Sequence, residues 1–123
     1  METSPDAGIV AGAAAAYLAG GEPADAREAV KAALRLMASA APGRSVEIRI
    51  PPFAAIQAVP GTTHRRGTPS AVVEADARTW ILLATGDLGW DEAVGDGRVR
   101  ASGERSDLRA WLPLACPPDS RQA

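Results

Sequence analysis

One cysteine, one histidine and one phenylalanine among 123 residues leave this chain short of the side chains that build disulfides, metal centres and large aromatic cores. Cys116 has no second cysteine to pair with, which excludes an internal disulfide and fits a reducing, cytoplasmic setting. His64 has no second histidine, and Cys116 sits apart from it in a proline-rich stretch with Pro117 and Pro118. Neither a zinc site nor a cysteine–histidine nucleophile is therefore expected, and no metal or cofactor is implied. Excess positive charge is missing as well: a net charge of −2 gives no general attraction to a phosphate backbone and argues against nucleic acid as a partner. The apolar run GIVAGAAAAYLAGG, Gly8 to Gly21, is shorter than the roughly 20 residues that a membrane-spanning helix needs. It also lacks the basic lead-in of a secretory signal, since the residues before it carry Glu2 and Asp6 and no Lys or Arg. Stable membrane insertion is not expected.

What the chain does have is an ordinary globular mixture, 46% hydrophobic and 23% charged, in which alanine supplies much of the apolar count. Its length suits one domain, placed at residues 1–114, with 115–123 as a flexible tail. The core is lean. Three tryptophans, Trp80, Trp90 and Trp111, fall in the second half and mark where bulky packing or a ligand surface belongs.

Two N-terminal helices are expected within residues 6–42. Ser4 or Asp6 can cap the first, Pro5 suits its opening turn, and Gly20 with Gly21 can end it. The second, from about Ala24 to Ala41, carries Val30, Ala33, Leu34 and Met37 at three- and four-residue spacing, with Arg27, Glu28, Lys31 and Arg35 on other faces. Pro42 and Gly43 stop it. From Ser45 the period changes to two, with Val46, Ile48 and Ile50 alternating with Glu47 and Arg49 as in a half-buried strand. Pro51 and Pro52 remove two backbone donors, so Phe53 to Val59 is either a second strand or a bent continuation of the first. A further strand is expected at Ala71 to Ala75, after which Asp76 caps a helix bearing Trp80, Leu83 and Ala84.

The loop PGTTHRRGTPS, Pro60 to Ser70, concentrates polar residues, and His64, Arg65 and Arg66 are its candidate anion contacts. Its other reading is a solvated hairpin loop whose arginines pair with nearby acids. Carboxylates such as Glu74, Asp76, Asp87, Asp91 and Glu92 offer material for acid–base work, but Asp76 and Asp91 stand at helix starts, where negative charge is favoured structurally. The glycines of GDGRVRASG, Gly95 to Gly103, bracket a strand instead of opening a helix, which is the wrong order for a phosphate cradle. No catalytic constellation is visible.

The segment from Asp76 to Leu114 sets out a helix, a short helix, a strand and a helix, with glycines at the element ends. With Leu82, Leu83, Gly86, Ala93, Gly97, Val99, Gly103, Leu108 and Leu112 in that order, it resembles the sterol carrier protein 2 family. The stretch RRGTPSAVVEAD, Arg65 to Asp76, makes it similar to the small actinobacterial-type, bacterial branch of sterol carrier proteins, and the likeness covers residues 46 to 114. The resemblance implies an α+β domain: a small, largely antiparallel twisted sheet of four or five strands within 45–114, covered by helices, with the two leading helices added.

It further implies an apolar ligand space between sheet and helices and no dedicated catalytic residue. On that reading Trp80, Leu83, Trp90, Val94 and Leu112 form one wall, and Phe53 and Ile56 face them from the sheet. The same seven positions also suit a closed core. The expected function is a non-enzymatic carrier of a small hydrophobic, lipid-like ligand, with an acidic end steered by residues 64 to 66. The alternatives are a protein-interaction or regulatory module without a cavity, docking to a partner or a second copy as a homodimer, and an accessory domain to a separate thiol-dependent isomerase-type enzyme.

Overall fold

The structure, a computed structural model, describes residues 5–61, 71–103 and 106–114. The candidate anion contacts His64, Arg65 and Arg66, the cap assigned to Ser4, Cys116 and the tail from 115 lie outside these residues.

Helix α1 runs Pro5–Leu18 and α2 runs Pro23–Ala40. Proline opens each of them, where a missing N–H costs nothing and the fixed φ suits a first turn. Asp25 reaches back to accept the Glu22 N–H at 3.1 Å, holding the start of α2. The stripe of α2 is buried in full, Val30, Ala33, Leu34 and Met37 with Ala26, Ala29 and Ala32. α1 packs along α2 and reaches the third helix, burying Val10 and Ala14. A side-chain tie joins the first two helices: Arg35 donates to Asp6 at 2.9 Å. That hydrogen bond holds the guanidinium above its ordinary pKa.

The strands are β1 (Val46–Ile50), β2 (Ala54–Ala58), β3 (Ala71–Ala75) and β4 (Val99–Gly103), in the spatial order β2-β1-β3-β4. The open question at Phe53–Val59 resolves as a hairpin: β2 returns antiparallel to β1, and the Phe53 N–H donates to the Ile50 carbonyl at 2.9 Å across the proline turn. β3 pairs parallel to β1 on its other side, and β4 antiparallel to β3, so the sheet is mixed with two of its pairings antiparallel. Ile48 sits between Ile56 and Val73 in register, which puts the apolar positions of three strands on one face. The opposite face carries Glu47, Arg49, Glu74 and Arg100. There Arg49 donates to Glu47 at 2.8 Å, a bond that raises the guanidinium pKa.

Helix α3 spans Ala77–Thr85, and α4 spans Trp90–Gly95. Asp76 caps α3 by accepting the Thr79 N–H at 2.7 Å, and Gly86 ends it in the left-handed region at φ 88°. Asp76→Ala is expected to cost about 1 kcal/mol. Thermal unfolding followed by circular dichroism should then show a drop of roughly 4 °C, the scale set by the unfolding entropy of a domain this size. The helix expected around Leu108 and Leu112 is only a 3-10 turn at Arg109–Trp111, three residues long. A proline at 113 cannot donate to extend it.

Candidate functional site

The layer between sheet and helices is closed at its centre. Trp80, Leu34, Met37, Ile48, Ile50, Ile81 and Leu83 are fully buried there. Two apolar recesses lie at the margins of this layer, one by the α3–α4 corner and one by the β2 edge.

The first recess holds about 180 Å³ and is lined by Leu83, Leu88, Trp90, Leu112 and Pro113 with the Arg109 side chain. Local rules build it. The stop at Gly86 turns the chain, and the Leu88 N–H hooks back to the Leu82 carbonyl at 3.2 Å, placing Leu88 beside the helix it has just left. Gly89 then starts α4, which swings Trp90 into the corner. The Leu114 N–H donates to the Ala84 carbonyl at 2.8 Å, drawing the C-terminal segment and Leu112 over the end of α3. Arg109 is already matched by acids: Asp91 stands 2.7 Å from one guanidinium nitrogen and Asp107 2.8 Å from another. This recess is apolar, and its cation is neutralised.

The second recess, about 170 Å³, lies between α2 and the edge strand β2, with Leu34, Ala54 and Ile56 as its apolar lining and Lys31 and Arg35 at its lip. The two cations are one turn apart on α2. Arg35 is held by Asp6, whereas Lys31 forms no ion pair among the described residues.

The seven apolar residues proposed from the sequence are divided by this arrangement. Leu83, Trp90 and Leu112 meet in the first recess, and Ile56 lines the second. Phe53 lies with Glu47, Arg49 and the two prolines in a shallow groove on the other side of the β1–β2 turn. Trp80 is part of the closed core, and Val94 is 40% exposed on α4. Sequence reasoning passed over Leu34, Lys31 and Arg35 as site residues. The available signal was the spacing of Lys31 and Arg35 around Leu34, at the border of the apolar stripe. Among the described residues no group of three or more His, Cys, Asp or Glu side chains is placed to hold a metal ion. No described helix is long and apolar enough to cross a membrane.

A family model described as bacterial SCP ortholog matches residues 22–114. The match begins just ahead of α2, so α1 precedes it, and it ends at the residue that ties the C-terminal segment to α3. No curated protein matches the chain.

Proposed function

Because the chain belongs to the bacterial SCP ortholog family, the sterol carrier protein-like group that its Asp76–Leu114 pattern resembles, we propose that it binds and carries a small hydrophobic molecule. The observation that carries this reading is the extent of the family match: residues 22–114 take in every residue lining both apolar recesses. The driving force is burial of ligand surface, about 25 cal/mol for each Å² of apolar area removed from water. Trp90 suits such a wall, since its ring offers a large rigid apolar surface at small cost in side-chain entropy.

Size limits what enters. Pockets that enclose a whole small molecule hold roughly 300–1,000 Å³, so recesses of about 180 and 170 Å³ each take one end of a chain or a small ring. A longer cargo requires the C-terminal segment to lift from α3, breaking the Leu114–Ala84 backbone bond and the packing of Leu112 and Leu114 against the core. The reading is of a binder that performs no chemistry on its ligand.

Native mass spectrometry of the purified protein, compared with the same sample after organic extraction, tests it. The expected result is a small apolar adduct that extraction removes, or one that forms on incubation with a panel of fatty acids, alcohols and esters. A mass that stays at the bare chain through the whole panel overturns the proposal.

A further inference from the structure

Beyond that reading, we infer a second binding site on the polar face of the sheet, one for a small zwitterion of the amino-acid type, whose ammonium and carboxylate lie a few bonds apart. A depression of about 340 Å³ lies at one end of this face, where β1 ends at Pro51, β3 runs into α3 and β4 begins after Gly97. It is about twice the size of either apolar recess. That brings it within the roughly 300–1,000 Å³ that holds a whole small molecule.

Register sets out its charges in two columns. Glu74 of β3 stands opposite Arg100 of β4, and the next pair is Ala75 with Val99, so Asp76 and Arg98 follow on. All four charged side chains line the depression, acids along the inner strand and guanidiniums along the edge. Residues directly opposite in an antiparallel pair have Cβ atoms about 5 Å apart, close enough for opposite charges to meet. Here they do not: among the described residues neither Glu74 nor Arg100 forms an ion pair. Their neighbours are already engaged. Arg49, on the other side of Glu74, is taken by Glu47 at 2.8 Å, Arg98 turns to Asp96 at 3.5 Å, and Asp76 is occupied in capping α3. An unmatched carboxylate and an unmatched guanidinium are thus held apart on two walls of one depression.

The balance of charge selects the ligand. With two acids and two cations in the lining, a simple anion or cation meets as much repulsion as attraction. A zwitterion meets both walls favourably: its carboxylate accepts from the planar Arg100 fork while its ammonium donates to Glu74. The Pro51 ring offers apolar contact to a side chain between them. At about 30 Å³ for each water-sized group, 340 Å³ takes about eleven such groups, the scale of an amino acid such as leucine.

The test is an NMR titration of ¹⁵N-labelled protein at low ionic strength with L-leucine, with N-acetyl-leucine, which lacks the ammonium, and with leucinamide, which lacks the carboxylate. The expected result is saturable movement of the Ala75, Gly97 and Arg100 backbone amide signals, with leucine held about fivefold more tightly than either blocked compound, the upper range for one exposed ion pair. Arg100→Gln should bring leucine down to the level of leucinamide, and Glu74→Gln to that of N-acetyl-leucine. Both substitutions lie on the polar face and leave the buried core untouched. Still signals at these amides, equal binding of the three compounds, or a preference for leucine that survives both substitutions overturns the inference. None of these outcomes bears on the carrier reading, whose apolar adduct is detected by mass and belongs to the other side of the sheet.

Discussion

Gly43→Ala is expected to destabilise the protein by about 4 kcal/mol, an overpacking cost added to strain at a backbone conformation that L side chains rarely adopt. Gly43 follows α2 at φ 154°, and a methyl group built on it would overlap the Val59 carbonyl and come to 2.6 Å from the Pro60 nitrogen. That carbonyl has no room to retreat. It accepts the Ser45 N–H at 3.2 Å and the Ser45 hydroxyl at 2.7 Å, while the Val59 N–H donates to the Ala41 carbonyl at 2.6 Å. Val59 is itself buried and sits at φ 74°, an uncommon conformation for a β-branched residue, so the surrounding bonds hold it in place. The end of α2, the start of β1 and the exit of β2 are joined here, and Ala71 adds the first bond of β3 through the Ser45 carbonyl at 3.1 Å. A forced shift at Gly43 therefore reaches three strands at once. Urea unfolding monitored by tryptophan fluorescence gives the number; a loss below about 1 kcal/mol would mean that the junction yields easily and is not the anchor described.

Trp80 gives the second large effect, and its size depends on the replacement. Trp80→Ala removes the largest fully buried side chain and should cost about 4 kcal/mol, within the range for truncating a core aromatic. Trp80→Phe should cost no more than about 1 kcal/mol, because the indole carries a liability that phenylalanine lacks: an unpaired buried donor is unfavourable by about 1–3 kcal/mol. The Trp80 Nε1 hydrogen is buried and finds no acceptor among the described residues. Removing it offsets much of the smaller ring's lost contact. Guanidinium unfolding of the two variants, read by circular dichroism, distinguishes the terms. If Trp80→Phe loses as much as Trp80→Ala, the indole N–H is satisfied in solution and the orphan donor is no liability.

Much of the local architecture is legible in the chain. The α2 stripe, the alternation at Val46–Ile50, the Asp76 cap and the Gly86 stop are all present where periodicity and capping chemistry set them. These features depend on near neighbours, so a short window contains their cause. The hairpin at Pro51–Pro52 needed the partner strand to decide it, and the parallel pairing of β1 with β3 skips β2 altogether. Site residues were harder still. Leu112 joins Leu83 and Trp90 only because Leu114 anchors on Ala84, a contact that joins the two ends of a 30-residue interval and has no local signature.

By itself the sequence determined where α2, β1 and α3 lie, which side of α2 and β1 turns inward, and the order of glycine-bounded elements that links the chain to its family. The tertiary structure alone decided where the apolar recesses fall and which charged side chains border them. Helical period places Lys31 and Arg35 off the buried stripe, and on a helix packed against the middle of a sheet they would be ordinary surface cations. They border a recess because β2 is the last strand and ends the sheet beneath α2. Strand order is a matter of non-local pairing, settled by which backbones and side-chain faces fit together in three dimensions, and no window of neighbouring residues contains it.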